Sequence, residues 1–134
     1  MSLIHHATGA AALALILLAR VSGADAAAGD YRFELAGNPE AAGGGKSIVA
    51  VRLTHMSDGK PVPGAIIIQT RADMGPDGMH EMTAPVKPLP PTDPGIYRFE
   101  IEPGMAGGWM LSLAAKLQGE TETVKGAVTV KLAK

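Results

Sequence analysis

From residue 31 onward, short segments of alternating apolar and polar side chains follow one another, each bounded by Gly, Pro, Asn or Asp, and no stretch carries a convincing helical period. Tyr31, Phe33 and Leu35 alternate with Arg32 and Glu34, and Gly37-Asn38-Pro39 ends the run. Gly43-Gly44-Gly45 reads as a flexible connection to a strand over 47–55, with Val49, Val51 and Leu53 on one face, Arg52 and Thr54 on the other, and His55 at inward parity. Ser57-Asp58-Gly59-Lys60-Pro61 is turn chemistry. The spacing predicts a strand over 65–74 with Ile66, Ile68, Ala72 and Met74 sharing a face. Residues 85–94 are too rich in proline to be placed inside a sheet. Further strands are predicted over 96–101, 109–117 and 124–132. The sum is an all-β sandwich of six or seven antiparallel strands.

Tyr31-Arg32-Phe33-Glu34-Leu35 and Tyr97-Arg98-Phe99-Glu100-Ile101 are near copies, but their flanks do not match. Equivalent in-out alternation in two strands of one sandwich accounts for them without a duplication. Trp109, in phase with Leu111 and Leu113, is expected to anchor the core.

The N-terminal 28 residues read differently. An apolar run over 10–19 is broken by Arg20, short of the roughly 18 to 20 residues that span a bilayer. Ala24-Asp25-Ala26 and Ala26-Ala27-Ala28 then offer small-x-small cleavage patterns. We expect a cleaved signal peptide over 1–28 and a mature domain over 29–134, periplasmic and with no membrane insertion after cleavage. The n-region lacks Lys and Arg, and an uncleaved anchor is the alternative. Cleavage would remove His5 and His6, leave His55 and His80 as the only imidazoles, and exclude an N-terminal histidine brace.

Composition narrows the chemistry. Among 134 residues there is no Cys, which removes disulfides, thiolate metal sites, cysteine nucleophiles and a lipid-bearing cysteine. Twelve Lys and Arg against thirteen Asp and Glu give a net charge of −1, so no nucleic-acid or polybasic membrane surface is expected. Seven methionines stand beside the absent cysteines, and three of them cluster in Met74-Gly75-Pro76-Asp77-Gly78-Met79-His80-Glu81-Met82.

Pro76-Asp77-Gly78 favours a turn, because proline presets φ, aspartate bonds locally to backbone and glycine tolerates positive φ. A turn over 75–78 makes Met74 and Met79 the flanking pair, with Cβ atoms about 5 Å apart. His80 and Met82 then share the side opposite to Met79, so a regular strand cannot bring all four together. A working site needs an irregular loop or donors from elsewhere, such as Met105 in the 103–108 turn, Met110, or His55-Met56. Neutral, soft thioether sulfur selects Cu(I) or Ag(I), and imidazole adds affinity and geometry. Cu(II) should bind more weakly, and a tight Cu(II) site would need His55 and His80 acting together. Met74 has core parity, so core filling competes with ligation there, and an exposed Met-rich loop also suits protein docking.

Other chemistries lack a constellation. A calcium loop over Asp73, Asp77 and Glu81 fails at Gly75, Pro76 and Ala84. Neither histidine has a nucleophile-elbow serine or a His-Glu-x-x-His zinc pattern, and Glu100 and Glu102 read as a solvated edge. The chain is not expected to be an enzyme.

Asp58-Gly59-Lys60-Pro61-Val62-Pro63-Gly64-Ala65, the Met-rich loop with Met79-His80, Pro94-Gly95-Ile96-Tyr97 and Met105-Ala106-Gly107-Gly108-Trp109 together resemble the YtkA-like/FixH-like family over about 47–117. The resemblance implies a small extracytoplasmic immunoglobulin-like β-sandwich associated with copper handling, heavy-metal efflux or assembly of copper oxidases. It aligns Met74, Met79, His80 and Met82 with the family's Met-rich loop and Trp109 with its Gly-x-Trp strand start. The loop is looser than the family's denser Met/Gly run, and the chain reads as secreted, unlike membrane-tethered FixH. The resulting expectation is a carrier that binds Cu(I) or Ag(I) through Met79, His80 and Met82, with Met74 or Met105 completing the shell, and passes it to a metal-efflux or copper-enzyme assembly protein. The alternative is a non-metal interaction module docking on such a complex.

Overall fold

The alternation of Val49, Val51 and Leu53 folds as a ten-residue strand that holds neighbours on both sides. The structure is a computed structural model describing residues 28–134; the expected signal segment, all but its last residue, lies outside the described residues. Nine strands are formed among the described residues: β1 (Tyr31–Leu35), β2 (Glu40–Gly43), β3 (Lys46–His55), β4 (Ile66–Met74), β5 (Met79–Ala84), β6 (Val86–Leu89), β7 (Ile96–Ile101), β8 (Gly107–Lys116) and β9 (Val124–Leu132). One sheet has the order β1-β3-β7-β6, with β2 following β1 along the same edge of β3, and the other has the order β5-β4-β8-β9. Every pairing is antiparallel. In immunoglobulin lettering these are A-B-E-D and C′-C-F-G, with β1 and β2 together forming A, so the chain is an immunoglobulin-like β-sandwich.

Inward residues of the two sheets form one core, in which Val49, Val51, Leu53 and Phe99 face Met74, Trp109, Leu111 and Val124. Removing side chains such as Leu53 and Phe99 from water contributes about 1.5–3 kcal/mol each. Trp109 is buried as expected, and its indole Nε1–H donates to the Met105 carbonyl at 3.0 Å. The near-copy segments are β1 and β7, which flank β3 and bury Phe33 and Phe99 at equivalent positions. Tyr97 is also buried; its hydroxyl donates to the Val62 carbonyl at 2.7 Å and accepts from the Ala65 N–H at 2.9 Å, fixing the chain that leads into β4.

Four expectations are corrected. Residues 43–45 are the tight turn of a β2–β3 hairpin, all three glycines having positive φ, and not a flexible connection. Two short strands, β2 and β6, go beyond the expected six or seven. Residues 86–89 do join a sheet despite Pro88, because β6 lies at its edge, where a missing N–H need not break a ladder. Finally, Ile66 and Ile68 do not share a face with Ala72 and Met74: a bulge between Ile67 and Gln69 reverses the parity and leaves both isoleucines exposed.

Candidate functional site

β4 ends at the fully buried Met74, and Gly75–Asp77 make one 3-10 turn with proline in its first positions. Gly78 closes it at φ +78°, its N–H donating to the Gly75 carbonyl at 2.9 Å. Met79 then stands opposite Met74, as the turn chemistry predicts. The next pair in the ladder is Asp73 with Thr83, so His80, Glu81 and Met82 form an insertion opposite a single step of β4. The insertion breaks the strand alternation of His80, Glu81 and Met82. Met79 is 36% and Met82 39% exposed, and the His80 side chain is 74% exposed.

Beneath the insertion lies Asp73, buried on the outer face of the sheet. Its Oδ1 accepts the Gly75 N–H at 2.8 Å and its Oδ2 accepts the Arg71 Nε–H at 3.2 Å. Arg71 Nη2 donates to the His80 carbonyl at 2.9 Å, and His80 Nδ1 lies 3.8 Å from Asp73 Oδ1. The imidazole packs on Gly75 so closely that a Cβ there would stand 2.7 Å from Cε1 and Nδ1. The ring therefore turns its Nδ1 side toward the protein. Asp73 and Arg71 were not singled out as site residues from the sequence; their signal is an Arg-x-Asp pair of one strand face placed directly before the Met-rich turn.

A second loop is fastened to the first. Asp77 Oδ2 accepts the Gly108 N–H at 2.9 Å, and Pro76 and Asp77 lie against Gly107 and Gly108, where side chains would collide. This contact carries the turn before β8, with the 44% exposed Met105, to the same end of the sandwich as Met79, His80 and Met82. Met74 belongs to the core beneath, its terminal methyl 2.8 Å from where a Gly107 Cβ would stand. Met110 is the register partner of Asp73 on the outer face.

His55 and Met56 are at the opposite end. His55 pairs with Tyr31 at the start of β1, whereas the Met-rich turn lies beyond the far end of β4, about 25 Å away at the rise of a strand. Joint action of His55 and His80 on one ion is thus excluded within one chain. His55 Nδ1 instead contacts Ser57 Oγ at 2.8 Å and Asp58 Oδ1 at 3.3 Å. The Lys60 backbone N–H, with His55 assisting, holds the Asp58 carboxyl below its ordinary range. Among the described residues no three His, Asp or Glu side chains gather as a metal site, so ligation at the Met-rich end would rest on thioethers with His80.

A search of curated proteins with this sequence finds no match. The family comparison is positive: the YtkA-like model matches residues 25–114, from just before the described region to the last part of β8. With well over half of its length matched, the chain belongs to the YtkA-like family.

Proposed function

We propose that the protein is a periplasmic carrier or accessory protein that binds one Cu(I) or Ag(I) ion through Met79, His80 and Met82 and passes it to a metal-efflux or copper-enzyme assembly protein. The observation that carries this reading is the insertion in β5, which frees His80 and Met82 from strand alternation beside Met79 and leaves all three exposed. Met105, on the loop fastened by Asp77, is the fourth donor, and Met74 serves as the packed floor. Thioether sulfurs with one imidazole are soft and neutral, a donor set suited to monovalent copper or silver and poor for Mg²⁺ or Ca²⁺. With Nδ1 turned toward Asp73, Nε2 is the ring nitrogen presented to an ion. Export follows from the signal segment read over 1–28. No catalytic role is assigned.

The exposure of Met79, Met82 and Met105 also suits a second reading, an adaptable docking surface that holds no metal. Native mass spectrometry with Ag(I) separates the two. The parent protein should take up one silver per chain, and a variant carrying Met79→Leu, His80→Ala and Met82→Leu should take up none. A parent that binds no stoichiometric silver rejects the carrier.

A further inference from the structure

Arg71 and Asp73, two apart in β4, share the outer face of the sheet. The Asp73 side chain is only 4% exposed, against 52% for Arg71. A carboxylate so far from water needs partners. Its Oδ1 accepts the Gly75 N–H at 2.8 Å and its Oδ2 the Arg71 Nε–H at 3.2 Å, which uses about half of a carboxylate's acceptor positions. Closing the turn needs no more than a neutral acceptor at Oδ1. The charge is matched by Arg71 and faces one further group, the imidazole of His80, whose Nδ1 is 3.8 Å from Oδ1. Arg71 also reaches the His80 carbonyl through Nη2 at 2.9 Å, so one guanidinium ties the carboxylate to the backbone of the ring it faces. Gly75 supplies the floor on which the ring rests, since a Cβ there would stand 2.7 Å from Cε1 and Nδ1.

We propose that Asp73 and Arg71 are positioning residues that fix the tautomer of His80, keeping its proton on Nδ1 and leaving the Nε2 lone pair free. A neutral imidazole presents either a lone pair or an N–H at Nδ1, and the group facing that nitrogen decides which. A lone pair there would meet the Asp73 carboxylate and be repelled, whereas an N–H is attracted. At 3.8 Å the attraction acts through the field of the carboxylate, beyond hydrogen-bond length. It opposes the ordinary preference of a free histidine side chain for its Nε2–H form. The Arg71 bond to the His80 carbonyl and the packing on Gly75 keep the ring edge at the carboxylate. The consequence for ligation rests on the carrier reading: an Nε2 lone pair that is already bare accepts a soft ion without first moving a proton.

Long-range proton–nitrogen NMR spectra of the metal-free protein at about pH 9, where imidazole is neutral, read the tautomer directly. His80→Gln identifies the signals of the ring by their loss. In the parent, His80 should show a protonated Nδ1 and a bare Nε2. Asp73→Asn keeps an oxygen for the Gly75 N–H but removes the charge, and His80 should return toward the Nε2–H form. Because an amide nitrogen beside Arg71 costs stability, Arg71→Lys is the second variant. It keeps a cation beside Asp73 and gives up the fork that reaches the His80 carbonyl, and its share of Nδ1–H should fall as well. In competition titration both variants should still take one Ag(I) per chain, about tenfold more weakly than the parent. A parent His80 in the Nε2–H form, or a tautomer that neither variant changes, overturns the proposal even where silver binds. Unaltered silver affinity in variants whose tautomer has shifted overturns its bearing on ligation. A parent that holds Nδ1–H yet takes up no silver supports the positioning role and rejects the carrier.

Discussion

The Asp77 carboxylate accepts the backbone N–H of Gly108 at 2.9 Å, across 31 positions of sequence, and this bond joins the Met-rich turn to the turn that carries Met105. Asp77 thus does more than shape its own turn. It sets the distance between two loops that have no strand pairing with each other.

Replacing Asp77 by Ala removes a charge-assisted acceptor from a buried glycine N–H and should cost about 1 kcal/mol, discounted for the exposure of Asp77. Thermal melting should show a fall of roughly 5 °C. Silver affinity should fall as well, because Met105 is no longer held beside the hairpin. Asp77→Asn, which keeps a carbonyl acceptor, should recover most of both losses.

Gly107→Ala should be the more damaging change in the same region. Gly107 has φ +150°, and an added Cβ would collide with Asp77 Oδ2 and approach the Met74 methyl to 2.8 Å. Overpacking of this kind costs about 1–3 kcal/mol. Gly104→Ala, where nothing lies within 4 Å of the added carbon, is the control and should unfold at nearly the parent's denaturant midpoint.

Tyr97→Phe strands two backbone groups, the Ala65 N–H and the Val62 carbonyl, and should cost about 1–3 kcal/mol in denaturant unfolding at neutral pH. Burial raises the Tyr97 phenol above its ordinary value of 10.0, the Ala65 N–H opposing in part. A folded-state pKa above the unfolded one gives stability that is complete below the unfolded value and is lost as pH rises toward the folded one. Tyr31, raised by burial and then by Glu120, acts in the same direction. The parent should therefore lose stability above pH 10, and Tyr97→Phe should show a smaller alkaline loss.

Met74 and Met105 should separate cleanly. Met74→Leu is a near volume-conserving change at a fully buried position, costing less than about 1.5 kcal/mol, and should leave one silver bound per chain. Met105→Ala should leave the melting temperature nearly unchanged and weaken silver binding, measured by competition titration. The reverse pattern would move the fourth donor from Met105 to Met74.

Alternation was sufficient for the strands that build the core, because Val49, Val51, Leu53, Phe99, Leu111 and Leu113 each repeat at a period of two. It failed at Ile68, where one extra residue reverses the faces of β4 and no local residue type announces the bulge. β6 was hidden by Pro88, which an edge tolerates and an interior would not. At the site, Pro76-Asp77-Gly78 was enough to set Met74 opposite Met79, since a turn is local chemistry. The Asp77 bond to Gly108 and the stacking of His80 on Gly75 depend on how separate segments approach one another, which no window of sequence contains.

The length of β4 between the His55 turn and the Met-rich turn has a consequence for variation. Groups about 25 Å apart with no shared partner contribute independently, so a double variant altered at both ends should show the sum of its single effects. Selection can then rewrite one pole of the sandwich, residue by residue, without renegotiating the other.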